Sequence, residues 1–114
     1  MQAFLALDSS TSYLCLSLVY GDEQFDFCED VGRDHAKRIL PEVESLLTQA
    51  AIEKRDLTAI AVGLGPGSYT GVRVAMATAK GLARALTIPL YGYPTLEAIA
   101  SRAFNPEYLS LIHI

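Results

Sequence analysis

The chain has 114 residues, 51% of them hydrophobic and 19% charged, which excludes a disordered segment. That length suits one small domain burying roughly two-thirds of its unfolded surface. A formal net charge of −4 and a pI near 5.0 argue against a stand-alone nucleic-acid binder, because phosphate contacts need clustered Lys and Arg.

No apolar run reaches the roughly eighteen residues that a membrane span needs. Met1-Gln2 lacks a basic signal region, so the expected location is cytoplasmic, with no membrane association. In chain order, Gln2 to Asp8 reads as a mostly apolar strand ending in a carboxylate, followed by the polar turn Ser9-Ser10-Thr11-Ser12. Tyr13 to Tyr20 reads as a second strand with Leu14, Leu16 and Leu18 on one face. Gly21-Asp22 marks a hairpin turn into Glu23 to Asp30, where Phe25 and Phe27 share a face. Cys15 and Cys28, the only two cysteines, fall in these strands without a Cys-x-x-Cys motif and are expected to be buried, reduced thiols.

Asp34 suits a helix N-cap, and Ala36, Ile39, Leu40, Val43, Leu46, Leu47, Ala50 and Ala51 form one helical stripe. Pro41 lies within it and should bend the helix or mark its effective start. After a polar connector, Ala59 to Leu64 reads as a strand buried on both faces. A glycine-rich turn then leads into a helix ending near Leu86, with small residues at Gly71, Ala75, Ala79 and Ala83. That helix is apolar nearly all round, so it should be covered on more than one side. Ile88 to Tyr93 is a fifth strand, and Pro94 opens a last helix to about Ala103.

The chemistry gathers in two places. The turn Gly63-Leu64-Gly65-Pro66-Gly67-Ser68-Tyr69-Thr70-Gly71 runs from a strand to a helix. Free N–H groups at the helix start suit an anion, and Ser68 or Thr70 can cap that start. The bland alternative is a tight turn with no ligand. The Walker spacing is absent, and the dinucleotide spacing is poorly met. Asp8, with Ser9, Ser10 and Thr11, either handles a phosphate or forms an Asp/Ser turn satisfying its own backbone, the commoner outcome. Tyr69 either stacks on a base or packs in its loop. His35, at the polar start of a helix, reads as a surface or capping histidine.

The run Gly65-Pro66-Gly67-Ser68-Tyr69-Thr70-Gly71-Val72-Arg73, followed by Ala79-Lys80-Gly81-Leu82-Ala83, resembles the signature of the TsaB (YeaZ) family. Leu5 to Thr11, His35 to Pro41 and Ile88 to Gly92 are similar to its first strand, first helix and fifth strand. The resemblance implies an actin-like ATPase, ribonuclease-H-like half-domain of order βββαβαβα. It implies a mixed five-stranded sheet, ordered 3-2-1-4-5, with helices on both faces. It also implies a non-catalytic subunit that pairs with catalytic TsaD, joined by the ATPase TsaE, to form threonylcarbamoyladenosine on tRNAs reading codons that start with A. Such a chain has no intrinsic cofactor, with ATP or ADP admissible in the complex, and meets tRNA only through that complex.

TsaD-like enzymes carry a His-x-x-x-His metal pair after the fifth strand, and the matching positions here are Thr95 and Ile99. No metal site and no catalytic residue are therefore expected. The anion-binding candidates are Asp8, Ser9, Ser10, Thr11, Gly65, Gly67, Ser68 and Thr70. The expected partner interface, for TsaD or a second copy, is Ile39, Val43, Leu46, Gly71, Ala75, Ala79, Leu82 and Ala83. The competing reading is a nucleotide-hydrolysing or glycoprotease-like enzyme of the superfamily. A domain over residues 1–105 is expected, with 106–114 a non-native or truncated tail and the family's second domain absent. Leu109 to Ile114 can be read back to a codon string matching the mosaic end of a transposon used to fragment DNA, so it is expected to be translated adapter, the alternative being a natural short strand.

Overall fold

Alternation and turn chemistry build the first half of the sheet. The computed structural model describes residues 2–9, 12–64, 70–93 and 112–113. Strand β1 spans Ala3–Asp8, β2 Tyr13–Tyr20 and β3 Glu23–Asp30. The β2–β3 hairpin closes at Gly21, whose φ of 61° is a left-handed value that glycine adopts without a steric cost. Tyr20 pairs with Glu23 at the turn, and the antiparallel register runs out to Tyr13 opposite Asp30. Strand β2 also pairs antiparallel with β1, from Ala3 opposite Tyr20 to Asp8 opposite Cys15.

Helix α1, His35–Ala50, then crosses to β4, Ala59–Gly63, which lies parallel to β1. Helix α2, Thr70–Leu86, leads to β5, Leu90–Tyr93, parallel to β4. Thr58 fastens the start of β4 to β1: its Oγ1 accepts from the Ala3 N–H at 3.1 Å and its own N–H donates to the Ala3 carbonyl at 2.7 Å. The expected order 3-2-1-4-5 holds. A two-residue strand β6, Ile112–His113, extends it, pairing antiparallel with β5. Two residues are too few to show a strand period.

Both described helices cover the same face of the sheet. Leu5 and Leu7 of β1, Leu14, Leu16 and Leu18 of β2, and Ile60 and Val62 of β4 share one core cluster with α1 and α2. Each fully buried aliphatic side chain contributes about 1.5–3 kcal/mol. Ala6, Ala61 and Tyr93 form a separate cluster on the opposite face, with Phe4 and Tyr91 packed on them. The helix expected from Pro94 to about Ala103 lies outside the described residues.

Of three local expectations, one is narrowed, one holds in position only and one is corrected. Helix α1 begins six residues before Pro41 and passes through it, so Pro41 is not its start. Asp34 holds the N-cap position, but its side chain makes no capping bond; its carbonyl accepts from the N–H groups of Lys37 and Arg38. His35 is buried rather than superficial, because it opens the inward stripe His35, Ile39, Val43, Leu46 and Leu47.

The cysteine expectation is corrected as well. Cys15 and Cys28 sit opposite one another in the hairpin and form a disulfide. Neither is buried, because both occupy strand positions that alternate with the inward leucines and phenylalanines.

Candidate functional site

In open α/β sheets, ligands approach the carboxyl ends of the parallel strands. Here those ends belong to β1, β4 and β5 and carry Asp8, Gly63 and Tyr93. The Leu64 N–H donates to the Tyr93 carbonyl at 2.9 Å, so β4 and β5 stay paired to their last residues. The Tyr93 hydroxyl donates to the Leu7 carbonyl at 3.2 Å, reaching across β4 to tie β5 to β1. Asp8, Ser9 and Tyr93 are all buried at this end of the sheet.

Burial, and secondarily the Asp8 charge, push the Tyr93 phenol far above its ordinary range. Tyr93 is therefore a fixed neutral donor rather than an acid–base group. The negative charge of Asp8 opposes an anion at this end unless a cation or the donors of the neighbouring loops offset it.

Of the anion-binding candidates, the structure brings Asp8 and Ser9 together at the end of β1. Ser10, Thr11, Gly65, Gly67 and Ser68 lie outside the described residues. For Thr70 and Gly71 only the backbone is described, at the first turn of α2. Thr95 and Ile99 also lie outside, as does Tyr69. Among the described residues, no three His, Cys, Asp or Glu side chains group as metal ligands.

Most of the expected partner interface turns inward. Ile39, Val43, Leu46, Ala75, Ala79 and Ala83 are all buried in the chain's own core, which corrects their reading as docking residues. The reason is geometric: α1 and α2 share one sheet face, and their inward stripes are spent on that sheet. Leu82 is half-buried, while Leu40 on α1 is 48% exposed. Sequence reasoning missed Tyr93 as a cross-strand tie. A hydroxyl-bearing aromatic at the end of a buried parallel strand was the available signal.

Comparison with known proteins places these features in a class. The family model for TsaD, tRNA N6-adenosine threonylcarbamoyltransferase, matches residues 28–112. RuvC of Thermus thermophilus, in complex with a Holliday junction substrate, shares the fold with a TM-score of 0.53 at 17% identity over 91% of this chain and 71% of that one. The class is thus a TsaD-like α/β domain of the ribonuclease-H-like, actin-like type.

Nearer relatives narrow it. The tRNA threonylcarbamoyladenosine biosynthesis protein TsaB of Haemophilus influenzae is 40% identical over 89% of this chain and 43% of its own length. TsaB of Escherichia coli is 38% identical over 89% of this chain and 44% of its own length. YeaZ from Pseudomonas aeruginosa superposes with a TM-score of 0.85 at 39% identity, covering 91% of this chain and 49% of that one. The chain belongs to the TsaB (YeaZ) family, and it spans less than half the length of these relatives.

Proposed function

We propose that the chain is part of a non-catalytic subunit that supports threonylcarbamoyladenosine formation next to the anticodon of tRNAs reading codons starting with A. The observation that carries this reading is the 40% identity to a TsaB protein across 89% of the chain. In this reading the protein is cytoplasmic, pairs with a TsaD-type catalytic subunit, and is joined by a TsaE-type ATPase. It holds no cofactor of its own, ATP or ADP acting in the complex. With a net charge of −4, it meets tRNA through its partners.

The docking surface is the outer side of α1 and α2, which retains the exposed Leu40 after the inward stripes are used. A homodimer through the same surface is the alternative assembly. Depleting the protein in its source cell should lower threonylcarbamoyladenosine in tRNA, read by nucleoside mass spectrometry. Unchanged nucleoside levels after complete depletion would overturn the reading.

A second reading is a superfamily hydrolase. One specific observation favours it: a Pseudomonas aeruginosa structure with a TM-score of 0.85 is described as similar to peptidase YeaZ. Peptidase or nucleotide-hydrolysing turnover by the purified protein, free of partners, would support that reading over the first.

A further inference from the structure

We propose that Cys15 and Cys28 form a reversible redox site, a dithiol–disulfide pair that fastens the outer edge of the sheet and opens by attack at Cys28. The pair is directly opposed in the β2–β3 register. Both residues alternate with the side chains that face α1, so the bond spans the outer face of the hairpin. Opening it removes no packing from the core.

Strand β3 needs a fastening. It ends the sheet, and among the described strands only β2 pairs with it. Its inward side chains, Phe25 and Phe27, are only half-buried, and its remaining residues are exposed. Arg38 of α1 bridges to Glu29 at 2.9 Å and lies 5.9 Å from the Phe27 ring centre, gripping the residues on either side of Cys28. Those contacts face solvent, where ion pairs are individually weak. The Ser17 hydroxyl adds two hydrogen bonds, donating to Asp26 at 2.7 Å and accepting from Gln24 Nε2 at 3.3 Å. A covalent link between β2 and β3 therefore bears on the edge strand more than on any other element.

Exposure assigns the order of events. Cys28 is exposed and Cys15 half-buried, so an incoming thiolate reaches the Cys28 sulfur first. A dithiol reductant attacks Cys28 Sγ, forming a mixed disulfide and expelling Cys15 as a thiolate that takes up a proton. The reductant's second thiol then attacks its own sulfur in the mixed disulfide and releases Cys28. Two electrons and two protons pass to the protein, and the dithiol leaves as its disulfide. The reverse reaction uses a small-molecule disulfide as oxidant.

The test equilibrates the purified full chain with graded ratios of reduced to oxidised dithiothreitol, followed by alkylation and mass spectrometry. Amide hydrogen exchange is read in the two end states. The bond should titrate reversibly, and its reduction should cost β3 protection while β1 and β4 keep theirs. Partial alkylation of the reduced chain should modify Cys28 before Cys15, a comparison that needs no substitution. A Cys15→Ser variant should capture a small disulfide at Cys28 faster than Cys28→Ser does at Cys15. Two free thiols under oxidising conditions, a bond that resists the dithiol, equal β3 exchange in both states, or faster reaction at Cys15 would each overturn the proposal.

Discussion

Helices α1 and α2 lie on the same face of the sheet and reach it by different means. Helix α1 inserts Ile39, Val43, Leu46 and Leu47, whereas α2 offers Ala75, Ala79 and Ala83. Large side chains fill the space beneath α1. Small ones let the α2 backbone approach the sheet, where many weak dispersion contacts add up. A small-residue stripe is thus a packing device for the chain's own core, and it says nothing by itself about a partner.

The sharpest way to break that comparison is Ala79→Glu. Ala79 is fully buried, and an unpaired charge there costs on the order of several kcal/mol. The variant should lose its far-UV circular dichroism; a folded variant would return Ala79 to an exterior surface. Next, Leu46→Ala under α1 should lower the unfolding free energy by about 2–5 kcal/mol in urea titration. Ala75→Gly in α2 should cost only about 1 kcal/mol, chiefly through helix propensity. Equal losses would mean that the two helices pack alike.

Tyr93→Phe should cost about 1 kcal/mol by removing the donor to the Leu7 carbonyl. It also has a pH signature. The folded phenol is raised above its unfolded value, so above about pH 10 the unfolded chain loses a proton that the folded chain keeps. Stability contributed by this group is present below that pH and falls as pH rises, and Tyr93→Phe should flatten the slope. The smallest effect is a gain. Ala51 ends α1 at a φ of 58°, where a Cβ is unfavourable, so Ala51→Gly should stabilise by roughly 0.5–1 kcal/mol.

Local signals carry most of the fold. The turn at Gly21-Asp22 fixes the hairpin register, and counting five residues outward from Tyr20 and Glu23 sets Cys15 opposite Cys28. That pairing is legible in the sequence only when register is counted; strand membership alone makes the cysteines two separate thiols. The small stripe of α2 is legible as a pattern, but its destination is not. Which side of a helix meets the sheet depends on the crossover and on the neighbouring helix. Likewise, Asp8 at the end of β1 follows from the strand, whereas the Tyr93 tie joins residues 86 positions apart and needs the assembled sheet.

Pairing through the outer side of α1 is tested most directly by affinity capture of the source cell's TsaD-type subunit by the tagged protein, with Leu40→Glu alongside. Leu40 is 48% exposed, so the variant should keep its circular dichroism and melting behaviour. A docking surface centred on Leu40 predicts capture by the unmodified protein and loss of capture by the folded variant. Undiminished capture by Leu40→Glu, or none by the unmodified protein, would contradict it.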